Sequence, residues 1–223
     1  MKEKTMENQF KFEGSEDLIK EFLSYQHIYS AAIKEVTTKL EILDEEFKLF
    51  HEHNPIHHIE TRLKKPKSIM EKLEKNNLPE TMEAIRTIKD IAGVRVVCNY
   101  IDDIYIIAKL LTSQRDIFLE EEEDYIKNPK ESGYRSLHLI VTVPIFLSEG
   151  VKRVPVEVQI RTIAMDFWAS LEHSLRYKVK TDNTEEISKR LNRCAESIAN
   201  LDIEMQDIYR SIRESNGEVV KGE

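Results

Sequence analysis

The chain has little of several things that usually announce a function. It holds two cysteines in 223 residues, Cys98 and Cys194, far apart and set among apolar or helical neighbours. That excludes a disulfide framework and a cysteine-built zinc site. Six glycines and six prolines leave no long flexible linker, and no segment repeats. No apolar run comes near the roughly 18 residues that a membrane-spanning helix needs. The opening MKEKTMENQFKFEGSEDL has no apolar signal-peptide core, so the cytoplasm is the expected compartment. An excess of positive charge is missing too. Lys and Arg number 33 against 41 Asp and Glu, a net charge of −8. A sequence-independent nucleic-acid binder needs a broad basic surface to displace counterions. A small anionic ligand asks only for a local basic pocket, and that class stays open.

What is present fits one buried core with helical additions, since 40% of the chain is hydrophobic. Residues 16–52 read as a long amphipathic helix through Leu18, Phe22, Tyr25, Tyr29, Ala32, Val36 and Leu40. Asn54-Pro55 ends it. A basic stretch, 61–75, precedes a second helix near 80–88. The middle changes character. Residues 91–100 are rich in β-branched side chains and read as a strand. A helix over 102–114 follows, then strands over 116–126, 134–145 and 153–162. Two helices, 163–179 and 184–213, close the chain. This order implies a mixed sheet in an α+β or α/β domain.

Five segments carry possible chemistry. In VPVEVQIRT, alternation puts Val154, Val156, Val158 and Ile160 on a core face and Glu157, Gln159 and Arg161 on the other. That polar face is either solvated or lines a site. In KDIAGVRVV, Asp90 precedes an apolar strand from which Arg95 projects. Strict alternation sets those two on opposite faces unless Gly93 supplies a bulge. Carboxylates on two strands suit Mg²⁺, which takes oxygen ligands and substrate phosphates. RLKKPKSIMEK gathers Arg62, Lys64, Lys65, Lys67 and Lys72, with Ser68 and Glu71 spaced as a capping box. Phosphates want such charge and donors, although a solvated basic helix start reads the same way. In KNPKESGYRSLH, Tyr134 is placed to stack on a base, with Lys130, Arg135 and His138 for phosphate or ribose. On helix 162–178, Ile163, Phe167, Trp168, Leu171 and Leu175 read as a core stripe, with Asp166, Glu172 and His173 off it. The histidines of HEHNPIHH, at 51, 53, 57 and 58, lack the companion Cys or acidic cluster of a zinc site.

Together and in order, RLKKPKSIMEK, DIAGVRVVCNYIDDIY, ESGYRSLH and VEVQIRTIAMDFWASLEH resemble the synthetase domain of the RelA/SpoT family. The stand-alone small alarmone synthetases resemble it most in layout. Asn-Pro-Ile after the first helix and DFW in place of NFW point toward the RelP (YwaC-like) branch. The resemblance spans about residues 54–178. It implies one synthetase domain over 1–223, with helical extensions at 16–52 and 184–213. The implied fold is α+β and nucleotidyltransferase-like, a mixed sheet flanked by helices.

The resemblance also implies roles. Arg62 and Arg95 match the arginines that sandwich the ATP adenine. Lys64, Ser68 and Lys72 match phosphate-holding positions. Asp90 and Glu157 match the acidic pair around Mg²⁺. Tyr134 matches the aromatic on guanine, with Lys130, Arg135 and His138 near it. Gln159, Asp166, Glu172 and His173 match the remaining acceptor positions, although Asp166 stands where some relatives have Asn. The implied reaction moves the β,γ-pyrophosphate of ATP to the 3′-hydroxyl of GDP or GTP and releases AMP. A homotetramer is implied as well. No histidine is followed by Asp, the pair that the hydrolase domain of long family members needs, so synthesis without hydrolysis is expected. Two other readings are a nucleotidyltransferase acting on RNA and a non-catalytic nucleotide sensor. The net charge counts against the first, and the full set of charged site residues against the second.

Overall fold

The computed structural model describes residues 16–178 and 184–215, and the side chains of 23–172, 174–175 and 185–215. Its helices are α1 (Glu16–Phe50), α2 (Pro66–Lys75), α3 (Met82–Arg86), α4 (Ile101–Thr112), α5 (Ile163–Lys178) and α6 (Thr184–Ser215). Its strands are β1 (Ile56–Leu63), β2 (Ala92–Cys98), β3 (Phe118–Asp124), β4 (Leu137–Leu147) and β5 (Gly150–Thr162). The sheet runs β1-β2-β5-β4-β3, with β2 and β5 parallel and the other neighbours antiparallel. This is the mixed sheet flanked by helices that the sequence implies.

Alternation organises the two faces. Val94, Val96, Val156, Val158, Ile160, Leu139 and Val141 point into one core. Helix α1 packs against β1, β2, β4 and β5 and adds Ala32, Val36 and Leu40 to that core. It stops where Asn54 Oδ1 accepts the Ile56 amide at 3.0 Å, an Asx turn that redirects the chain into β1. The opposite face stays polar at its centre and forms the floor of the site described below.

Four details differ from the sequence reading. Strand β1 occupies residues read as a histidine cluster and a basic stretch. Its burial is one-sided, because it is an edge strand with a solvated face. The Ser68–Glu71 capping box does not form. Pro66, with its fixed φ, starts α2 directly after Lys65, which puts Ser68 inside the first turn. No bulge lies at Gly93, since the β1–β2 and β2–β5 registers run through it unbroken. Asp90 lies before the first β2 residue, so strand parity does not govern it. Finally, the expected core stripe of α5 is only partly core. Trp168 is buried, whereas Ile163 is exposed and Phe167, Leu171 and Leu175 are exposed along a groove between α5 and α6. Both cysteines are free, Cys98 buried and Cys194 exposed.

Candidate functional site

Register brings the polar groups together. Across β1 and β2, Glu60 lies opposite Arg95 and Arg62 opposite Gly93. Across β2 and β5, Gly93 meets Glu157 and Arg95 meets Gln159. Across β4 and β5, His138 meets Gln159. The result is a polar stripe over four strands on the face that α1 leaves uncovered. A cavity of about 460 Å³ opens above it, lined by Glu60, Arg62, Lys64, Asp90, Arg95, Glu157 and Gln159 among others. That volume lies in the range of small-molecule sites.

One end of the cavity is a cluster of ion pairs. Lys64 Nζ donates to Asp90 Oδ2 at 2.6 Å, and Lys72 Nζ lies 2.7 Å from the same oxygen. Two elements aim these lysines. The Lys64 amide donates to Ile91 O, pinning the end of β1, and Lys72 comes from α2. Burial opposes ionisation of Asp90, but the hydrogen bonds from Lys64 and Lys72 outweigh it and hold the pKa below the ordinary carboxylate value. Asp90 Oδ1 is buried and has no hydrogen-bond partner. Arg95 pairs with Glu60 at 3.0 Å and with Asp166 at 3.4 Å. Arg62 stands exposed beside the cavity mouth, and Ser68 is half-buried on α2.

The other end is built from less exposed groups. Tyr134 Oη is 2.8 Å from His138 Nε2 and receives a hydrogen bond from Arg161 Nη2 at 2.9 Å. His138 Nδ1 lies 3.5 Å from Glu157 Oε1, and Gln159 Nε2 donates to Glu157 Oε2 at 2.8 Å. Burial pushes the Glu157 carboxyl up and His138 draws it down, and the balance leaves it below its ordinary value. The charge of Asp90 also acts on Glu157, which fits two carboxylates sharing one cavity. Burial pushes the Tyr134 phenol up, with Arg161 acting against it. Lys130 sits over the Tyr125 ring at 4.1 Å and farther from Tyr134, at 5.4 Å.

The loop that carries Tyr134 is held from two directions. Gly133 adopts φ +83°, and a Cβ there would meet Ala195 Cβ of α6 at 2.5 Å. Only glycine fits both constraints. Asn192 of α6 donates to Glu131 O at 2.9 Å. Arg135 turns to the Ile126 carbonyl at 3.3 Å and so ties the loop to itself.

Most of the candidate residues from the sequence therefore line one cleft or its rim. Asp166 enters it through Arg95 and Arg161. Glu172 lines the separate α5–α6 groove instead. His173 lies on α5, with its side chain outside the described residues. Sequence reasoning missed Glu60, Tyr125 and the role of Arg161. Glu60 is two residues from Arg62 and would have been found had β1 been read as a strand. The four histidines of 51–58 do not converge. His53 bonds Asp103 at 2.9 Å, and His58 lies 3.5 Å from Glu60. Among the described residues, no three His, Cys, Asp or Glu side chains could together hold a metal.

Cations gathered around two carboxylates on a mixed sheet suit a metal-bound polyphosphate nucleotide. Residues 61–182 match the region found in RelA / SpoT proteins. The chain is 41% identical to GTP pyrophosphokinase YwaC of Bacillus subtilis, over 83% of this chain and 89% of that one. It is about equally similar to GTP pyrophosphokinase YjbM of the same organism, with 40% identity over 84% of this chain and 88% of that one. The solved structure of small alarmone synthetase 1 from Bacillus subtilis bound to its product pppGpp superposes with a TM-score of 0.81 at 38% identity. That match covers 86% of this chain and 98% of the other. The chain belongs to the RelA/SpoT family.

Proposed function

We propose that this chain is a (p)ppGpp synthetase, a GTP pyrophosphokinase that transfers the β,γ-pyrophosphate of ATP to the 3′-hydroxyl of GDP or GTP and releases AMP. The observation that carries the reading is the two-ended cleft. Its lysine–carboxylate cluster suits a polyphosphate, and its tyrosine-bearing end suits a second nucleotide. Both likenesses to Bacillus subtilis GTP pyrophosphokinases span more than four-fifths of each chain.

The ATP end is formed by β1, β2 and α2. Arg62 and Arg95 are diagonal neighbours on one face of the β1–β2 pair. Such neighbours stand about 7–8 Å apart, enough for a planar base between two guanidinium groups. Lys64 and Lys72, with Ser68 beside them, meet the phosphates. Binding frees Asp90 from part of its lysine pairing, because the incoming phosphates compete for the same ammonium groups.

Mg²⁺ fits this site. Asp90 Oδ1 is buried without a partner, and Glu157 supplies a second carboxylate in the same cavity. Two carboxylates plus substrate phosphates are the donor set that magnesium usually takes. When bound there, the ion neutralises charge on the transferring phosphates. At the acceptor end, Tyr134 stacks on guanine, with Lys130, His138, Gln159 and Asp166 around the ribose and phosphates. Glu157 takes the proton of the 3′-hydroxyl as that oxygen attacks the β-phosphorus and AMP leaves. Transfer of this kind depends mainly on positioning and charge stabilisation.

The reading carries a cytoplasmic location, where both nucleotides are at hand, and synthesis without hydrolysis. It also carries a homotetramer. Leu201, Met205, Ile208 and Ile212 expose an apolar stripe on α6 that a second copy would cover. Light scattering should give four chains per particle at micromolar concentration, and a monomer would reject the assembly. The function itself is tested by mixing the chain with ATP, GDP and Mg²⁺. AMP should appear in step with a guanosine product that carries two added phosphates. Retention of tRNA on a filter without AMP release would favour the RNA-directed reading.

A further inference from the structure

Arg161 is the most deeply buried cation of the site. Its side chain is 2% exposed, and burial draws its pKa down. Its Nε hydrogen has no partner. A guanidinium that leaves one of its own donors unpaired is poorly explained by the stability it brings, because a buried charge costs several kcal/mol to desolvate. What it holds explains it better.

The two hydrogens of Nη2 start two chains of polar contacts. One goes to Tyr134 Oη at 2.9 Å. The phenol proton is then free for His138 Nε2 at 2.8 Å. His138 turns its other nitrogen, Nδ1, toward Glu157 Oε1 at 3.5 Å. Only a protonated Nδ1 suits a carboxylate there. The second Nη2 hydrogen goes to Gln159 Oε1. That orients the amide so that Nε2 donates to Glu157 Oε2 at 2.8 Å. A flipped amide would set donor against donor at Arg161 and acceptor against acceptor at Glu157. Gln159 therefore fixes Oε2 by a hydrogen bond while His138 faces Oε1 at ion-pair distance, and both chains begin on one nitrogen. Nη1 adds a bond to Asp166 Oδ1 at 3.4 Å.

We propose that Arg161 is a positioning residue that aligns the Glu157 carboxylate and the Tyr134 ring together, through a closed ring of Arg161, Tyr134, His138, Glu157 and Gln159. The ring joins the Tyr134 loop to β4 and β5, so the acceptor platform and the proton acceptor move as one unit. The proposal rests on the reading that Glu157 takes the 3′-hydroxyl proton and Tyr134 holds the acceptor base. Arg62, Lys64 and Lys72 lie outside the ring, and its links to the ATP end are Glu157 itself and Arg95 through Asp166, so a break at Arg161 falls mainly on the acceptor end.

Arg161→Lys keeps the charge and loses the fork that feeds both chains. The variant should lose less affinity for ATP than for GDP. Its kcat should fall by about 100-fold, the lower range for a misplaced proton acceptor, and its acceptor KM should rise. A folded variant with wild-type kcat, or one weakened equally toward ATP and GDP, would overturn the proposal. A second measurement needs no variant to fold and no turnover. In the wild-type protein labelled with ¹⁵N-histidine, His138 should carry its proton on Nδ1 and leave Nε2 bare. A proton on Nε2 would break the ring as drawn. Wild-type AMP release separates the two levels. If the wild type releases none, the synthetase reading fails, while the histidine spectrum still decides whether the ring exists.

Discussion

On the β1–β2 side of the cleft the charged groups are long, partly exposed and paired with one another. On the β4–β5 side they are less exposed and gathered into a ring around Arg161. Lys64 and Lys72 share a single oxygen of Asp90, and Arg95 divides itself between Glu60 and Asp166. In the proposed reading these pairs stand where the ATP phosphates would bind, so that end would rearrange on binding. The proposed acceptor end has its donors already aimed at Glu157 and Tyr134. The difference teaches that one cleft can combine a pliant end with a preorganised one. A flexible triphosphate tolerates adjustment, whereas attack by a weak hydroxyl nucleophile depends on alignment.

The comparison breaks most completely at the two carboxylates, because each end contributes one. Asp90→Asn and Glu157→Gln should each abolish AMP release, a loss of at least about 100-fold. Melting curves should stay near wild type, since both groups open onto the cavity. Wild-type AMP release by either folded variant would remove that residue from the chemistry.

The next effect separates the ends. Tyr134→Ala should weaken the acceptor by roughly 1–3 kcal/mol, the range of base–aromatic stacking. ATP affinity should hold. Lys72→Ala should do the reverse, raising the KM for ATP and sparing that for GDP. Equal losses toward both nucleotides in either variant would show that the cleft does not divide as described.

The smallest effect sharpens the comparison at its rim. Gly133→Ala sets a Cβ against Ala195 at 2.5 Å in a backbone with φ +83°. The left-handed conformation alone costs about 1–2 kcal/mol. The Tyr134 loop should shift off α6, the acceptor KM should rise several-fold, and the KM for ATP should stay put. Unchanged kinetics for both substrates would mean that α6 does not set the loop.

Much of this was legible in the sequence because alternation and helical spacing are strong signals. The polar face of β5 and the apolar face beneath it follow from VPVEVQIRT alone. The long helices α1 and α6 announce themselves by length and pattern. Strand β1 was not legible. Its His57, His58, Glu60 and Arg62 mask the usual β-branched signature, since an edge strand with one wet face needs few apolar residues. The shared cleft of Asp90 and Arg95 was hidden for a related reason. Parity applies within a strand, and Asp90 lies outside β2. Arg161 could be assigned to the polar face, but no local pattern reveals burial. That depends on Tyr134 and Asp166, which arrive from a distant loop and a following helix. The α5 stripe misled because helical spacing marks an apolar face without saying whether this chain or another covers it.

The most direct test follows the phosphates. ATP labelled at the γ-phosphorus is incubated with the protein, GDP and Mg²⁺, and the products are separated. Attack at the β-phosphorus moves the label to a guanosine product bearing a 3′-diphosphate, with one AMP formed for each. Label leaving as inorganic phosphate, or transferred with ADP as the partner product, would place the attack at the γ-phosphorus and contradict the account.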